Sequence, residues 1–458
     1  MLRSPPMRVI RRARAELGDR GPVQAVADLG RLVKQRGPKG LIERLGYTVT
    51  RHTPAPTGPT LSPRIFTHAW GSAHSPGFDL TPEALAANRA VVEQFADRPT
   101  EVRTATWFLT WFEHPLFGGV HTILRLMSWM KEHHGVEHRL VVFDRPGARD
   151  EDLRSAITAV FPNLADIDIL LPVDGQVPDN ELPATDIGVC TMWVSAYPLA
   201  RFNRTKAKFY MVADYEPLFY AAGTVYALAE ATYRFGFAGI VNTPALGDLY
   251  ADYGNPTVSF VPSVGTADAV SESAPPKPSA AEGAPVQIVL YGRPSTERNG
   301  FELIAAACRH IKERYGDRVR IVSAGEDWEP ADFRLEGIIE NRGLLRDLAS
   351  VRQLYEDSDI GVCFMFSKHP SYQPLEYLAH HVVPVCNINP ATSWLLRHEE
   401  NCLITEPFPQ MVTAAVSRLI DEPELRAKLA AAGHDDVTSV SWDAELAKVW
   451  DFVTNHAG

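Results

Sequence analysis

The segment VQIVLYGRPSTERNGFELIAAACRHIKERYG (286–316) reads as a buried strand, a short basic loop and an amphipathic helix in immediate succession. That order is the opening unit of a layered α/β domain with a parallel sheet. The same rhythm continues outward. VRIVSAG (319–325), DIGVCF (359–364), VVPVCN (382–387) and CLIT (402–405) are short apolar runs, with a helix expected at LASVRQLYEDS (348–358). Upstream, ATWFLT (105–110), RLVVFD (139–144), IDILLP (167–172), DIGVC (186–190), KFYMVA (208–213), GIVNT (239–243) and TVSFV (257–261) repeat it. Continuous apolar runs of this length between helical or loop segments indicate parallel strands with crossover helices.

Between the two series lies TADAVSESAPPKPSAAEGAP (266–285), poor in large apolar residues and dense in Pro, Ala and Ser, as a linker is. At 458 residues the chain exceeds what one hydrophobic core organises. Two α/β domains are expected, at 101–265 and 286–437, with a basic helical extension and arm at 1–100. In the arm, Thr81 can cap a helix that opens with Pro82.

Charge is unevenly placed. Residues 1–51 hold 12 Lys/Arg against 4 Asp/Glu in a chain whose net charge is −11. Apolar residues at helical spacing lie beneath this basic face, which suits either an anionic membrane surface or a solvated helix pair on the protein itself. An otherwise acidic chain without aromatic and basic interleaving argues against nucleic acid. Five cysteines, each single in an apolar run, suggest neither zinc nor a disulfide framework, and fit a reducing cytoplasm. No signal-peptide core and no long apolar span is read, so a cytoplasmic protein, peripheral to the inner face of the plasma membrane if the basic segment binds lipid, is expected.

In open α/β sheets the ligand crevice lies at the carboxyl ends of the strands, so four loops matter most. In YGRPSTERNGF (291–301), Arg293 and Arg298 precede a helix N-terminus; together they suit a diphosphate without a metal, or are surface arginines on a turn. In FSKHPSYQPLEYLAHH (366–381), Pro374 and Glu376 fall in the first helical turn. Glu376 either supports the helix dipole or accepts from the two hydroxyls of a ribose, with Ser371 and Tyr372 lining the pocket. In WFEHPLFGGVHTILRLMSWM (111–130), Gly118 and Gly119 permit close backbone approach at a helix start, or make a plain turn. In MVADYEPLFYAAG (211–223), Asp214 and Glu216 suit hydrogen bonding to sugar hydroxyls or proton movement, or one of them caps a helix. Asp166 with Asp168, and Asp357 with Asp359, match an Asp-x-Asp metal motif but precede strands instead of following them. His134 and His138 are expected to be solvated surface histidines.

Taken together, ADYEPLFYAAGTVYALAEATYRFG (213–236), YGRPSTERNGFEL (291–303) and HPSYQPLEYLA (369–379) make the chain resemble the GT-B glycosyltransferases of family 4, and more closely the bacterial rhamnosyltransferases of the WsaF type. The resemblance spans roughly residues 75–458. It implies two Rossmann-like domains facing a cleft, and a terminal helix within 438–458 crossing back to the first domain. It implies that Arg293 and Arg298 contact the donor diphosphate, that Glu376 holds the nucleotide ribose, and that Gly343 and Leu344 lie beside the base. Gly118 and Gly119 match a loop closing on the reaction centre. Many members carry two glutamates separated by seven residues; here the first is Lys368, which then faces the phosphate or sugar. The implied reaction is retaining, metal-independent transfer of L-rhamnose from dTDP-L-rhamnose to a hydroxyl of a growing cell-surface glycan, oligosaccharide or lipid-linked. The alternatives are a nucleotide-sugar epimerase in the same shell and a non-catalytic nucleotide- or sugar-binding scaffold.

Overall fold

A computed structural model describes residues 78–95, 101–112, 115, 118–143, 148–172, 177, 181–264, 284–345 and 347–456. The expectations for the basic extension at 1–51, and for nearly all of the linker at 266–285, lie outside the described residues.

Among the described residues the first domain is built on a seven-stranded sheet. Its strands are β1 (Thr104–Leu109), β2 (Glu137–Val142), β3 (Asp168–Leu170), β4 (Thr185–Cys190), β5 (Thr205–Val212), β6 (Ala238–Asn242) and β7 (Thr257–Phe260), in the order β3-β2-β1-β4-β5-β6-β7. Every pairing is parallel. The second domain's strands are β8 (Val286–Gly292), β9 (Val319–Gly325), β10 (Glu340–Asn341), β11 (Ile360–Val362), β12 (Val383–Asn387) and β13 (Leu403–Thr405), in the order β10-β9-β8-β11-β12-β13. These are parallel as well. Both sheets are doubly wound: the order reverses beside β1 in the first and beside β8 in the second. Such a reversal leaves a crevice at the carboxyl ends of the two strands flanking it. In the second domain those strands are β8 and β11, which deliver the arginine loop and the Glu376 loop to the same place.

The strands were legible because helices cover both sheet faces, so buried side chains leave few polar interruptions. Trp107, Phe108, Phe209 and Tyr210 are fully enclosed, each contributing on the order of 1.5–3 kcal/mol of burial.

The helix Trp442–His456 belongs to the first domain's core although it follows the second in sequence. Trp442, Leu446, Val449, Phe452 and Val453 are buried in one cluster with Trp107, Met127 and Phe209. Polar contacts fix its approach: Trp129 Nε1 donates to Asp443 Oδ1 at 3.1 Å, Val261 N to Glu445 Oε2 at 3.0 Å, and Ser263 Oγ to Val440 O at 2.6 Å.

Two sequence readings need correction. The helix Pro82–Phe95, read as part of an arm, packs against β5 and the helix Trp193–Arg201. Its N-terminus is as expected, with Ala84 N bonded to Thr81 Oγ1. Its inner face carries Asn88, which donates to Phe235 O and accepts from Lys208 Nζ, both at 2.8 Å. That buried amide satisfies a lysine only 3% exposed, a pairing that sequence spacing does not reveal. His138 is likewise not a surface residue: it is 5% exposed on β2, bonded to Trp107 Nε1 at 3.0 Å and Met127 O at 2.9 Å. Burial pushes its imidazole down to about 4. His134 stacks on Trp450 at 3.9 Å.

Candidate active site

On leaving β8 the chain passes Arg293, whose guanidinium rests near Tyr291, donating to its hydroxyl at 3.3 Å. A single turn at Glu297–Asn299 follows, then Gly300 at φ 61°, then the helix Phe301–Tyr315. A side chain at Gly300 would meet the Phe366 ring 2.7 Å away, so this position needs glycine for both conformation and space. Arg298 lies partly buried with its guanidinium 4.4 Å over the ring of Phe219 from the first domain. Burial lowers its affinity for a proton, and Asp214 opposes that shift.

The loop after β11 is held from beneath by Asn389, whose amide donates to the carbonyls of Met365, Ser367 and His369. Ser371 takes φ 55°, a left-handed conformation uncommon outside glycine, and its N–H donates to His369 Nδ1 at 2.9 Å. The helix Gln373–Ala379 then begins, with Pro374 at its second position and Glu376 in its first turn. Glu376 accepts from the Tyr355 hydroxyl at 2.8 Å. Burial raises this carboxyl to about 7, with the Tyr355 bond pulling the other way.

Other expected residues occupy less direct positions. The Ser371 hydroxyl is bonded to Gln373 Oε1. The Tyr372 hydroxyl points across to the first domain, where it pairs with Thr122 at 2.7 Å and accepts from Asn242 Nδ2 at 3.4 Å. Lys368 is exposed, directly after Ser367. Gly343, at φ 70°, caps the far side of the crevice: its carbonyl accepts from Gly325 N, and Leu344 N donates to Asp327 Oδ1 at 3.1 Å.

The opposing face comes from the first domain. Gly118 and Gly119 open the helix Gly118–His134, which presents Thr122. Asp214 follows β5 and is 5% exposed. It accepts from Tyr215 N and, across the cleft, from Ser367 Oγ, each at 2.7 Å. Burial raises it to about 6, against the pull of Ser367 and Arg298. Glu216 is set deeper, accepting from Trp193 N and from Tyr210 Oη, the latter at 3.1 Å. Burial carries Glu216 to about 8, so it is held neutral at pH 7. Its polar contacts are internal to the first domain.

Sequence reasoning passed over Ser367, Thr122, Asn242, Phe219 and Tyr355. Ser367 adjoins Lys368 within the stretch already singled out, but nothing in the sequence indicates what a serine there would meet. At the end of β6, Thr243 adopts φ 79°, a strained setting for a β-branched residue, and its hydroxyl and Asn242 Oδ1 are buried without a partner.

The Asp-x-Asp candidates are engaged elsewhere: Asp166 pairs with Lys131, Asp168 with Arg139, and Asp359 accepts from Gln287 N. Among the described residues no three His, Cys, Asp or Glu side chains converge as metal ligands would.

Comparison with known proteins gives the family and the fold. The WsaF N-terminal domain matches residues 110–242 and the WsaF C-terminal domain residues 286–417. The O-antigen biosynthesis protein RfbC of Myxococcus xanthus is 39% identical over 389 residues, which cover 83% of this chain and 30% of that protein. The chain therefore spans about a third of that relative's length. Among solved structures, TarM superposes with a TM-score of 0.60 at 10% identity, covering 78% of this chain and 99% of TarM. Anabaena Alr3699/HepE, solved with UDP and glucose, gives 0.56 at 12% identity, covering 76% and 99%. Sucrose-phosphate synthase from Thermosynechococcus elongatus gives 0.55 at 12% identity, covering 76% and 98%. At such identities these structures share the fold alone. With its two halves matched in order by the two domain models, the chain belongs to the WsaF family and has the GT-B glycosyltransferase fold.

Proposed function

We propose that the chain is a glycosyltransferase of cell-surface polysaccharide assembly, moving L-rhamnose from dTDP-L-rhamnose to a hydroxyl of a growing glycan with retention of configuration. The observation that carries this reading is the placement after two adjacent strands, β8 and β11, of Arg293, Arg298 and the Phe301–Tyr315 helix start on one loop and Glu376 on the other. The first group suits a diphosphate and the second a ribose, which are the two invariant parts of a nucleotide-sugar donor. Family membership, a relative named for O-antigen biosynthesis, and neighbours solved with UDP or UDP-glucose support the choice of ligand class.

The chemistry follows from charge. As the bond from the anomeric carbon to the diphosphate oxygen lengthens, negative charge grows on the leaving group and the sugar becomes oxocarbenium-like. Two guanidiniums and a helix N-terminus aimed at the leaving group stabilise that charge more strongly than the ground state, without calling on a metal. Glu376, ionised by contact with two ribose hydroxyls, orients the nucleoside. The acceptor enters from the first domain, a glycan or a lipid-linked glycan. Among the described residues no helix is long and apolar enough to cross a membrane. Lipid contact would fall to the basic residues 1–51.

The test is a thermal-shift series on the full chain with dTDP, UDP, GDP and their sugars, followed by an assay of sugar release. Stabilisation by dTDP or dTDP-L-rhamnose that Arg293→Ala and Glu376→Ala both abolish supports the reading. Binding without release or transfer would leave a scaffold, and isomerised sugar without acceptor would mean an epimerase.

A further inference from the structure

We infer that Asp214 and Ser367 form a clasp between the domains that sets Arg298 in place for the donor diphosphate, making Asp214 a positioning residue. The inference rests on the transferase reading and names a part of it that the sequence did not.

The Asp214 carboxylate is buried, and from its own domain it accepts from Tyr215 N. Its other donor, Ser367 Oγ at 2.7 Å, lies across the cleft. A carboxylate enclosed in this way needs those donors, so its pairing depends on the two domains being together. The stretch that supplies Ser367 is tied directly to Arg298, because Phe366 N donates to the Arg298 carbonyl at 2.8 Å. Arg298 in turn faces the same first-domain loop: its guanidinium lies 4.4 Å over Phe219 and within Coulombic reach of Asp214. The contacts close a ring, from Asp214 through Ser367 and Phe366 to Arg298 and back to the loop that holds Asp214 and Phe219.

This ring explains how one guanidinium can be fixed without being consumed. The ring of Phe219 lies against the guanidinium, and Asp214 is within Coulombic reach of it without a direct ion pair. The five N–H donors of a guanidinium leave a fork for phosphate oxygens. Ser367 therefore matters although it touches no phosphate: it ties the first-domain carboxylate to the loop on which Arg298 leans. The nucleoside diphosphate is the ligand class this arrangement serves.

The experiment is a double-mutant cycle on nucleotide affinity, measured calorimetrically with dTDP and with UDP on the full chain. Asp214→Asn and Ser367→Ala should each weaken binding about 10-fold, and Ser367→Thr, which keeps the hydroxyl, should restore most of it. On an Arg298→Ala background the same two changes should cost less than about 2-fold, because they act through that arginine. A purely structural role would instead leave the losses additive. Full additivity, or wild-type affinity in both Asp214→Asn and Ser367→Ala, overturns the inference while Arg298→Ala still reports on the donor site. If neither nucleotide binds the wild-type chain, the transferase reading falls and the inference with it. Ser367→Ala is the milder change and keeps the test decisive if Asp214→Asn fails to fold.

Discussion

Tyr372, at the start of the Glu376 helix, and Thr122, one turn into the Gly118–His134 helix, share a hydrogen bond of 2.7 Å between their hydroxyls. Each belongs to a different domain, and Asn242 donates to the same tyrosine from the end of β6. The loop read in the sequence as a pocket wall is thus also a bridge across the cleft. Tyr372→Phe should lower stability by about 1 kcal/mol, because it removes the hydroxyl that bonds Thr122 and Asn242 across the cleft. Thermal melts of the two proteins check this, and an unchanged midpoint would show that the bridge carries no net energy.

Three buried carboxyls make the fold's pH dependence unusual. Burial holds Asp214 at about 6, Glu376 at about 7 and Glu216 at about 8. Each value is raised, so between its ordinary value and its raised one the folded chain keeps a proton that the unfolded chain releases. Their joint contribution to stability is therefore fully present at low pH and is lost as pH rises through the window from about 4 to about 8. The melting temperature should accordingly fall between about pH 5.5 and about pH 8.5, and Glu216→Gln should flatten the slope, since an amide cannot ionise. A wild-type midpoint that rises across this range would contradict the assignment.

Donor affinity should run the other way. On the proposed reading Glu376 accepts from the two ribose hydroxyls when ionised and accepts less well when protonated. Binding of dTDP should tighten as pH rises through about 7, with Glu376→Gln showing weak, pH-independent affinity. Calorimetry at several pH values checks this directly.

Gly343 sits at φ 70°, and a side chain there would come within 2.2 Å of Asp327 Oδ1, the atom that accepts from Leu344 N. Gly343→Ala should cost about 1–3 kcal/mol through backbone strain and the broken turn. Urea unfolding measures the loss, and a cost below about 0.5 kcal/mol would mean that the turn can relax.

Leu446 is 1% exposed in the first domain's core. Leu446→Ala should destabilise by about 2–5 kcal/mol, since it opens a cavity in the buried cluster that the helix shares with the first domain's sheet. The unfolding midpoint should drop in the phase that reports on the first domain and not in that of the second.

Strand positions and the start of the Glu376 helix were readable because their causes are local. A parallel strand buried on both faces must be apolar throughout, and Pro374 with Glu376 marks a helix N-terminus by its own chemistry. The two-residue strand β10 was missed, since Glu340 and Asn341 look like loop and pair only because β9 lies alongside. His138 was misplaced for a related reason: its partners, Trp107 and the Met127 carbonyl, are brought to it by the fold. Glu216 shows the same limit at the site. Its neighbours in sequence suggest an exposed strand-end carboxyl, while Trp193 N, 23 residues earlier, draws it inside.

The Trp442–His456 helix has a further consequence for how the protein is made. During synthesis the first domain emerges with a gap in its core, and every residue of the second must be translated before the missing wall arrives. The second domain can complete its sheet and its whole core, from Ile288 to Ala430, beforehand. Domains generally fold as units in order of appearance. This topology reverses that order, so the domain that emerges first is the last to be finished, and it must wait on the ribosome with apolar surface uncovered.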